Sequence, residues 1–271
     1  MELSIDVLVI LFFVALAAGF IDAIAGGGGM LTVPALLSVG IPPAQALATN
    51  KLQSSFGSFS ASWYFVRNGL VNLKQMRLAI GCTFAGSAIG AVLVQYIDAS
   101  VLTSLIPILL VCISLYFLLS PNIGTGGGTP KLSEAAFAFS VGTSIGFYDG
   151  FFGPGTGSFF TICFVVIAQL GLVEATARTK VLNFTSNIAA LILFILAGLP
   201  VWKVGLIMAV GGFMGARLGA HVVISKGQRF IRPMVVIMSM GMAIKLLWQQ
   251  HPQWFQLVFE PVGMLRFLND K

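Results

Sequence analysis

GFIDAIAGGGG at residues 19–29 and GFYDGFFGPGTG at residues 146–157 are one motif written twice, at an offset of 127. Each copy sets an aspartate, Asp22 or Asp149, inside an apolar run and follows it with a glycine-rich break. The likeness continues outward from the motif. Ala46, Ala48 and Lys51 meet Ala175, Ala177 and Lys180 at an offset of 129, as Gly86 and Gly90 meet Gly215 and Gly219. Near the end of each copy Pro107 meets Pro233, so the offset drifts only between 126 and 129. Apolar composition alone does not produce such a register, and the chain reads as a tandem duplication.

Hydrophobic residues make up 57% of the 271 residues and charged residues 9%, with a mean hydropathy of +0.96. A water-soluble core cannot absorb that much apolar surface, and the long apolar runs read as helices in lipid. Glu2 and Asp6 before the first run argue against a secretory signal. Cys82, Cys112 and Cys163 lie in apolar runs without CxxC spacing or a nearby histidine, which predicts buried structural thiols and no metal site. The net charge of +6 is concentrated at segment ends, where topology explains it, so no nucleic-acid partner is expected.

The expected fold is an all-α membrane protein of about 8–10 transmembrane segments, built as two inverted five-segment repeats with Gly-interrupted short helices. The first repeat covers 1–122, with segments near 5–21, 28–40, 45–66, 76–96 and 100–119. A Gly-rich linker at 123–131 leads to the second repeat, 132–250, with segments near 132–149, 155–171, 175–198, 202–222 and 228–249. Residues 251–271 read as an interfacial tail carrying Trp254 and Phe255. Inversion is read from charge. Arg67, Lys74 and Arg77 gather between segments three and four of the first half, whereas Lys226, Arg229 and Arg232 gather between four and five of the second. The positive-inside rule puts both clusters in the cytoplasm, which makes the two units inverted and both chain ends extracytoplasmic.

Gly26, Gly27, Gly28 and Gly29 precede a helix read from Met30, and Gly153, Gly155, Thr156, Gly157 and Ser158 precede one read from Phe159. Glycine lets backbone amides approach a ligand, and the first amides of a helix carry partial positive charge, so two such termini would cradle an anion. Close helix packing is the alternative use of the same glycines. Asp22, Lys51, Asp149 and Lys180 are ionisable residues within apolar stretches, and bare in lipid they would cost on the order of 10 kcal/mol together. They must pair or line a polar cavity. Anion attraction by the lysines with Arg178, ion coupling by the aspartates, and purely structural clamps are all open readings. On segment three, Asn50, Gln53, Ser54, Ser55 and Ser58 are matched by Thr179, Asn183, Thr185, Ser186 and Asn187. The substrate-binding candidates are the glycine-rich turns with Asn50, Lys51, Ser54, Lys180, Asn183 and Asn187. Arg217 and His221, near a segment end, read as interfacial.

The paired GF(I/Y)D motifs, ALATNKLQ at 46–53 and KVLNFTSN at 180–187 resemble the sulfite exporter TauE/SafE family, over residues 5–250. That resemblance implies secondary transport of a small sulfur oxyanion or organosulfonate, in either direction, across a bacterial inner membrane with periplasmic chain ends, and the midplane aspartates make a proton or sodium ion the expected coupling partner. The second copy has RTK where the first has TNK, which leaves the equivalent of Asn50 unassigned there. A passive anion channel is the first rival reading and a membrane enzyme the second; the latter lacks a metal cluster or a nucleophile–base arrangement. No cofactor is expected, and a homo-oligomer is compatible with the sequence.

Overall fold

The computed structural model describes residues 3–98, 100–101 and 128–227. The expectations for Cys112, Arg229, Arg232, the Pro107–Pro233 match, the segment at 228–249, the tail and most of the 100–119 segment and the linker lie outside these residues.

Helix α1 (Ile5–Ala25) starts at Ser4, whose side chain accepts from the Val7 amide, and stops at Gly26 in the left-handed region, φ 78°. Helix α2 (Gly28–Ser38) follows after one residue and has 11 residues, about 16 Å of rise, roughly half a hydrocarbon core. Helix α3 (Pro43–Arg67) opens with proline, which fits the first turn, where its missing N–H is not needed. Helix α4 (Leu73–Gln95) is capped by Asn72, whose side chain accepts from the Lys74 amide at 3.0 Å. The second half starts with a Ser133-capped turn, α5 (Glu134–Phe137), a π-helical turn (Ala138–Gly142) and α6 (Thr143–Phe151). Another short helix, α7 (Thr156–Val166), leads to α8 (Leu172–Leu196) and α9 (Trp202–Lys226).

The described residues contain no strand, and four of their helices, α1, α4, α8 and α9, are long and apolar enough to cross a membrane. Of the eight expected segments that lie within the described residues, the other four do not meet that measure, for three physical reasons. Helices α2 and α7 are too short. The α5–α6 run is divided by its π turn. Helix α3 has 25 residues but carries polar ones on several sides, Thr49, Asn50, Lys51, Gln53, Ser55 and Ser58, all buried against protein.

Packing interleaves the two halves. A Cβ built on Gly86 or Gly90 of α4 would overlap the carbonyl oxygen of Thr143 or Phe147 in α6. The corresponding Gly215 and Gly219 of α9 lie in the same way against Leu16 and Phe20 of α1. Small residues thus bring backbones together where lipid gives no hydrophobic drive for association. Helix α3 then packs on both α8 and α9. One core cluster joins the end of α3, the start of α4 and the ends of α7 and α9 through Phe65, Val71, Met76, Phe164 and Val223. Another joins the starts of α1, α3 and α9 through Leu8, Ala46 and Val204. Cys82 and Cys163 are free and half-buried, not fully buried as the sequence suggests.

Candidate functional site

The two glycine-rich turns meet at the centre of the bundle. A Cβ on Gly26 would run into the backbone of Gly157, and one on Gly29 would lie 3.2 Å from Pro154 Cα. The Ser158 amide donates to the Gly26 carbonyl at 3.2 Å, and the Ser158 hydroxyl donates to the Ala25 and Gly26 carbonyls. Only glycine fits here twice over, since Gly26 and Gly155 hold φ values of 78° and 87° and the chains touch at backbone distance. Both short helices begin earlier than the sequence suggests. Gly28 and Thr156 are their first residues, not Met30 and Phe159, so glycine, threonine and serine amides form the first turns.

The buried charges pair across the halves. Lys51 Nζ donates to Asp149 Oδ1 at 2.8 Å, and Lys180 Nζ donates to Asp22 Oδ2 at 2.9 Å. Each lysine therefore serves the aspartate of the other copy. Repeat arithmetic relates equivalent positions and says nothing about which partner each one finds, so the crossing was not legible in sequence. Asp149 also accepts from Thr156 Oγ1 at 2.8 Å and from Ser186 Oγ, and Lys51 gives a second bond to Asn187 Oδ1 at 3.1 Å. Asp22 accepts instead from the Gly28 amide at 3.2 Å and more loosely from Asn183. The two sites differ in hydration: side-chain exposure is 2% for Asp149 and 21% for Asp22, against 1% for each lysine.

Between these pairs lies a cavity of about 20 Å³, the space of one water. Its walls are Asp22, Gly26, Gly29, Asn50, Ser54, Asp149, Gly153, Gly155, Thr156, Gly157, Asn183 and Asn187. Most candidate binding residues thus converge on one place, with the Gly157 amide there donating to no acceptor among the described residues. The exceptions are informative. Lys51 and Lys180 sit behind the carboxylates, Ser158 seals the crossing of the turns, and Gly28 spends its amide on Asp22. Gly27, the cap of α2, lies off the cavity wall. Arg178 is elsewhere, paired with Glu174 at 2.8 Å. Arg217 lies 4.3 Å over the Tyr64 ring, and Tyr64 Oη is 2.8 Å from His221 Nδ1, also away from the centre.

Two threonines that sequence reasoning passed over support the site. Thr32 Oγ1 donates to Asn50 Oδ1 at 2.5 Å, and Thr161 Oγ1 donates to Thr179 Oγ1 at 3.1 Å. Both bonds span 18 residues, and each threonine also bonds the carbonyl four residues back, at Gly28 or Gly157. Thr179 therefore takes the place in the second half that Asn50 takes in the first. The signal was present, as a threonine four residues after each Gly28 or Gly157, at the offset of 129.

A multi-pass helical membrane protein with a charge-paired polar centre built by two glycine turns has the form of a transporter. The chain belongs to the sulfite exporter TauE/SafE family, whose match covers residues 11–246. It is 53% identical over 244 residues to the probable membrane transporter protein YfcA of Escherichia coli K12, covering 90% of this chain and 91% of that one. A probable membrane transporter protein of Haemophilus influenzae is 49% identical over 255 residues, 94% of this chain and 99% of the relative. The probable membrane transporter protein ORF9 of a Sinorhizobium species is 47% identical over 246 residues, 91% and 94% of the two chains. No solved structure matches the chain.

Proposed function

We propose that this protein is a secondary transporter that carries a small anion, a sulfur oxyanion or organosulfonate, through the bacterial inner membrane by alternating access. The observation that carries the reading is the central cavity itself: two glycine turns at the starts of two short helices, closed on each other and tied by crossed ion pairs. Helix N-termini from two related units, facing one point at depth, form an anion site of the kind broken-helix transporters use. At about 20 Å³ the cavity is too small for a sulfur oxyanion, so an anion is accommodated only when the turns part. The family to which the chain belongs is described as sulfite exporters, which supplies the substrate class.

Opposed orientation of the halves is supported by where charges fall. Arg67, Lys74, Arg77 and Lys226 lie about the Phe65–Val71–Met76–Val223 cluster, while Asp6 and, among the described residues, the single cation Lys203 lie about the Leu8–Ala46–Val204 cluster. By the positive-inside rule the first end is cytoplasmic and the start of the chain periplasmic. Rocking of one inverted unit against the other exchanges the open side, and Asp22 and Asp149 are the groups available to carry a coupling proton or sodium ion.

The test is thermal stabilisation of the purified protein by sulfite, thiosulfate, sulfoacetate, taurine, sulfate and acetate. Stabilisation by one sulfur anion, lost in Gly157→Val, is the expected result. Equal response to all anions, or a response that survives Gly157→Val, removes the central cavity as the binding site.

A further inference from the structure

A second cavity, of about 520 Å³, opens at the end of the bundle marked by Val71 and Met76. Lys74 and Arg77 reach it from the first two turns of α4, Arg178 from the second turn of α8, and Glu134 from α5. Lys74 and Arg77 form no ion pair among the described residues. Cations in the first turns of a helix oppose its dipole, so the stability of α4 does not account for them. Arg178 gives one Nη to Glu174, while its buried Nε has no hydrogen-bond partner among the described residues. With Arg178 paired to Glu174, Lys74 and Arg77 face the single carboxylate of Glu134, and the cavity keeps a net positive charge that favours an anion.

The floor of this cavity faces the central site. Phe137 and Phe164 line it and stack with ring centroids 4.8 Å apart. On α7, Gly157, Thr161 and Phe164 share one face at i, i+4 and i+7, and on α8, Thr176, Thr179 and Asn183 do the same. Gly157 and Asn183 belong to the central cavity, the Thr161–Thr179 bond lies one turn further out, and buried Thr176 Oγ1 has no partner among the described residues. A polar stripe therefore runs from the centre to the stacked rings. On the related path in the first half, the Thr32–Asn50 bond is followed by Leu36, Leu47 and Ala46, all fully buried. That side is apolar, with Leu47 where the second half has Thr176.

We infer that the larger cavity is the cytoplasmic vestibule of the central site, where Lys74, Arg77 and Arg178 gather a small oxyanion, and that the Phe137–Phe164 stack is the gate between them. The inference rests on the central cavity being the anion site. The π turn at Ala138–Gly142 begins at the residue after Phe137, where a break in regular α-helical bonding lets the ring move without unwinding the whole helix.

The experiment uses the full chain with Cys82, Cys112 and Cys163 replaced by alanine and a single reporter, Thr179→Cys, with Thr161→Cys as a second reporter should the first fail to insert. Anionic and cationic methanethiosulfonates of similar size are applied to inside-out and right-side-out membrane vesicles. The expected result is modification from the cytoplasmic side, faster with the anionic reagent. That preference falls roughly tenfold when Lys74→Gln and Arg77→Gln are combined, and Phe164→Ala raises the rate with both reagents. Modification only from the periplasmic side, an unchanged reagent preference in the double variant, or indifference to Phe164→Ala would each overturn the inference. Labelling reports access without any transported ligand. Expected labelling with no anion stabilisation would leave the route standing and remove the binding reading; the reverse would remove the route alone.

Discussion

Replacing Lys51 and Lys180 in turn by methionine separates two ion pairs that the sequence makes look equivalent. Methionine keeps the volume of the stem and removes the charge, so each variant strands one aspartate. Lys51→Met leaves Asp149 charged at 2% side-chain exposure, with Thr156 Oγ1 and Ser186 Oγ as its remaining donors. Breaking one partner out of a buried pair costs about 3–5 kcal/mol, because the other charge stays desolvated. Lys180→Met leaves Asp22 at 21% exposure, beside the cavity and still held by the Gly28 amide. Partial hydration lowers that cost to about 1–3 kcal/mol. Thermal melting of the detergent-purified variants, followed by the loss of the monodisperse peak, reads the difference. Lys51→Met should melt well below Lys180→Met, with wild type highest. Equal melting temperatures, or the reverse order, would refute the idea that Asp149 is the structural hub and Asp22 the hydrated group.

Combining Lys51→Met with Asp149→Leu should restore most of the stability lost in Lys51→Met, since a neutral, packed pair has no stranded charge; a double variant less stable than either single one would argue against the clamp. Gly215→Ala should lower the melting temperature, by overpacking worth about 1–3 kcal/mol against the Leu16 carbonyl. Gly81→Ala, on the open side of α4 with nothing within 4 Å, should raise stability by about 0.5–1 kcal/mol. Ser87→Ala removes the 2.6 Å bond to the buried Ser186 carbonyl and should cost about 1–3 kcal/mol, read in the same melting assay.

Much of this was legible in the chain because apolar length and internal repetition are local signals. The bounds of α1, α4 and α9 fall within a few residues of the expected segments, and the residues of the central cavity come largely from the motifs that repeat. Partner choice was not legible, since the lysine of one copy reaches across 98 residues to Asp149 and the other across 158 to Asp22. Helix α3 shows why a hydropathy count misleads within such a bundle: its central polar residues are met by α2, α6, α8 and α3 itself, through Thr32–Asn50, Lys51–Asp149, Lys51–Asn187 and Gln53–Asn50. The starts of the short helices were misjudged for a similar reason. Glycine is a weak helix former, yet Gly28, Gly29 and Gly157 are helical, and close neighbours account for glycine there: Gly28 lies against Asp22 and Ala18, Gly29 against Pro154 and Gly157 against Gly26.

Transport through the central site is tested most directly by counterflow in proteoliposomes. Protein is reconstituted with unlabelled sulfite inside and a trace of radiolabelled sulfite outside, and the assay is repeated with Gly157→Val. Transient accumulation of label above its equilibrium level, saturable in external sulfite and absent in the variant, is the expected result. Label that only equilibrates, with a flux linear in concentration, would identify a passive pore and contradict alternating access; overshoot undiminished in Gly157→Val would place the anion site elsewhere.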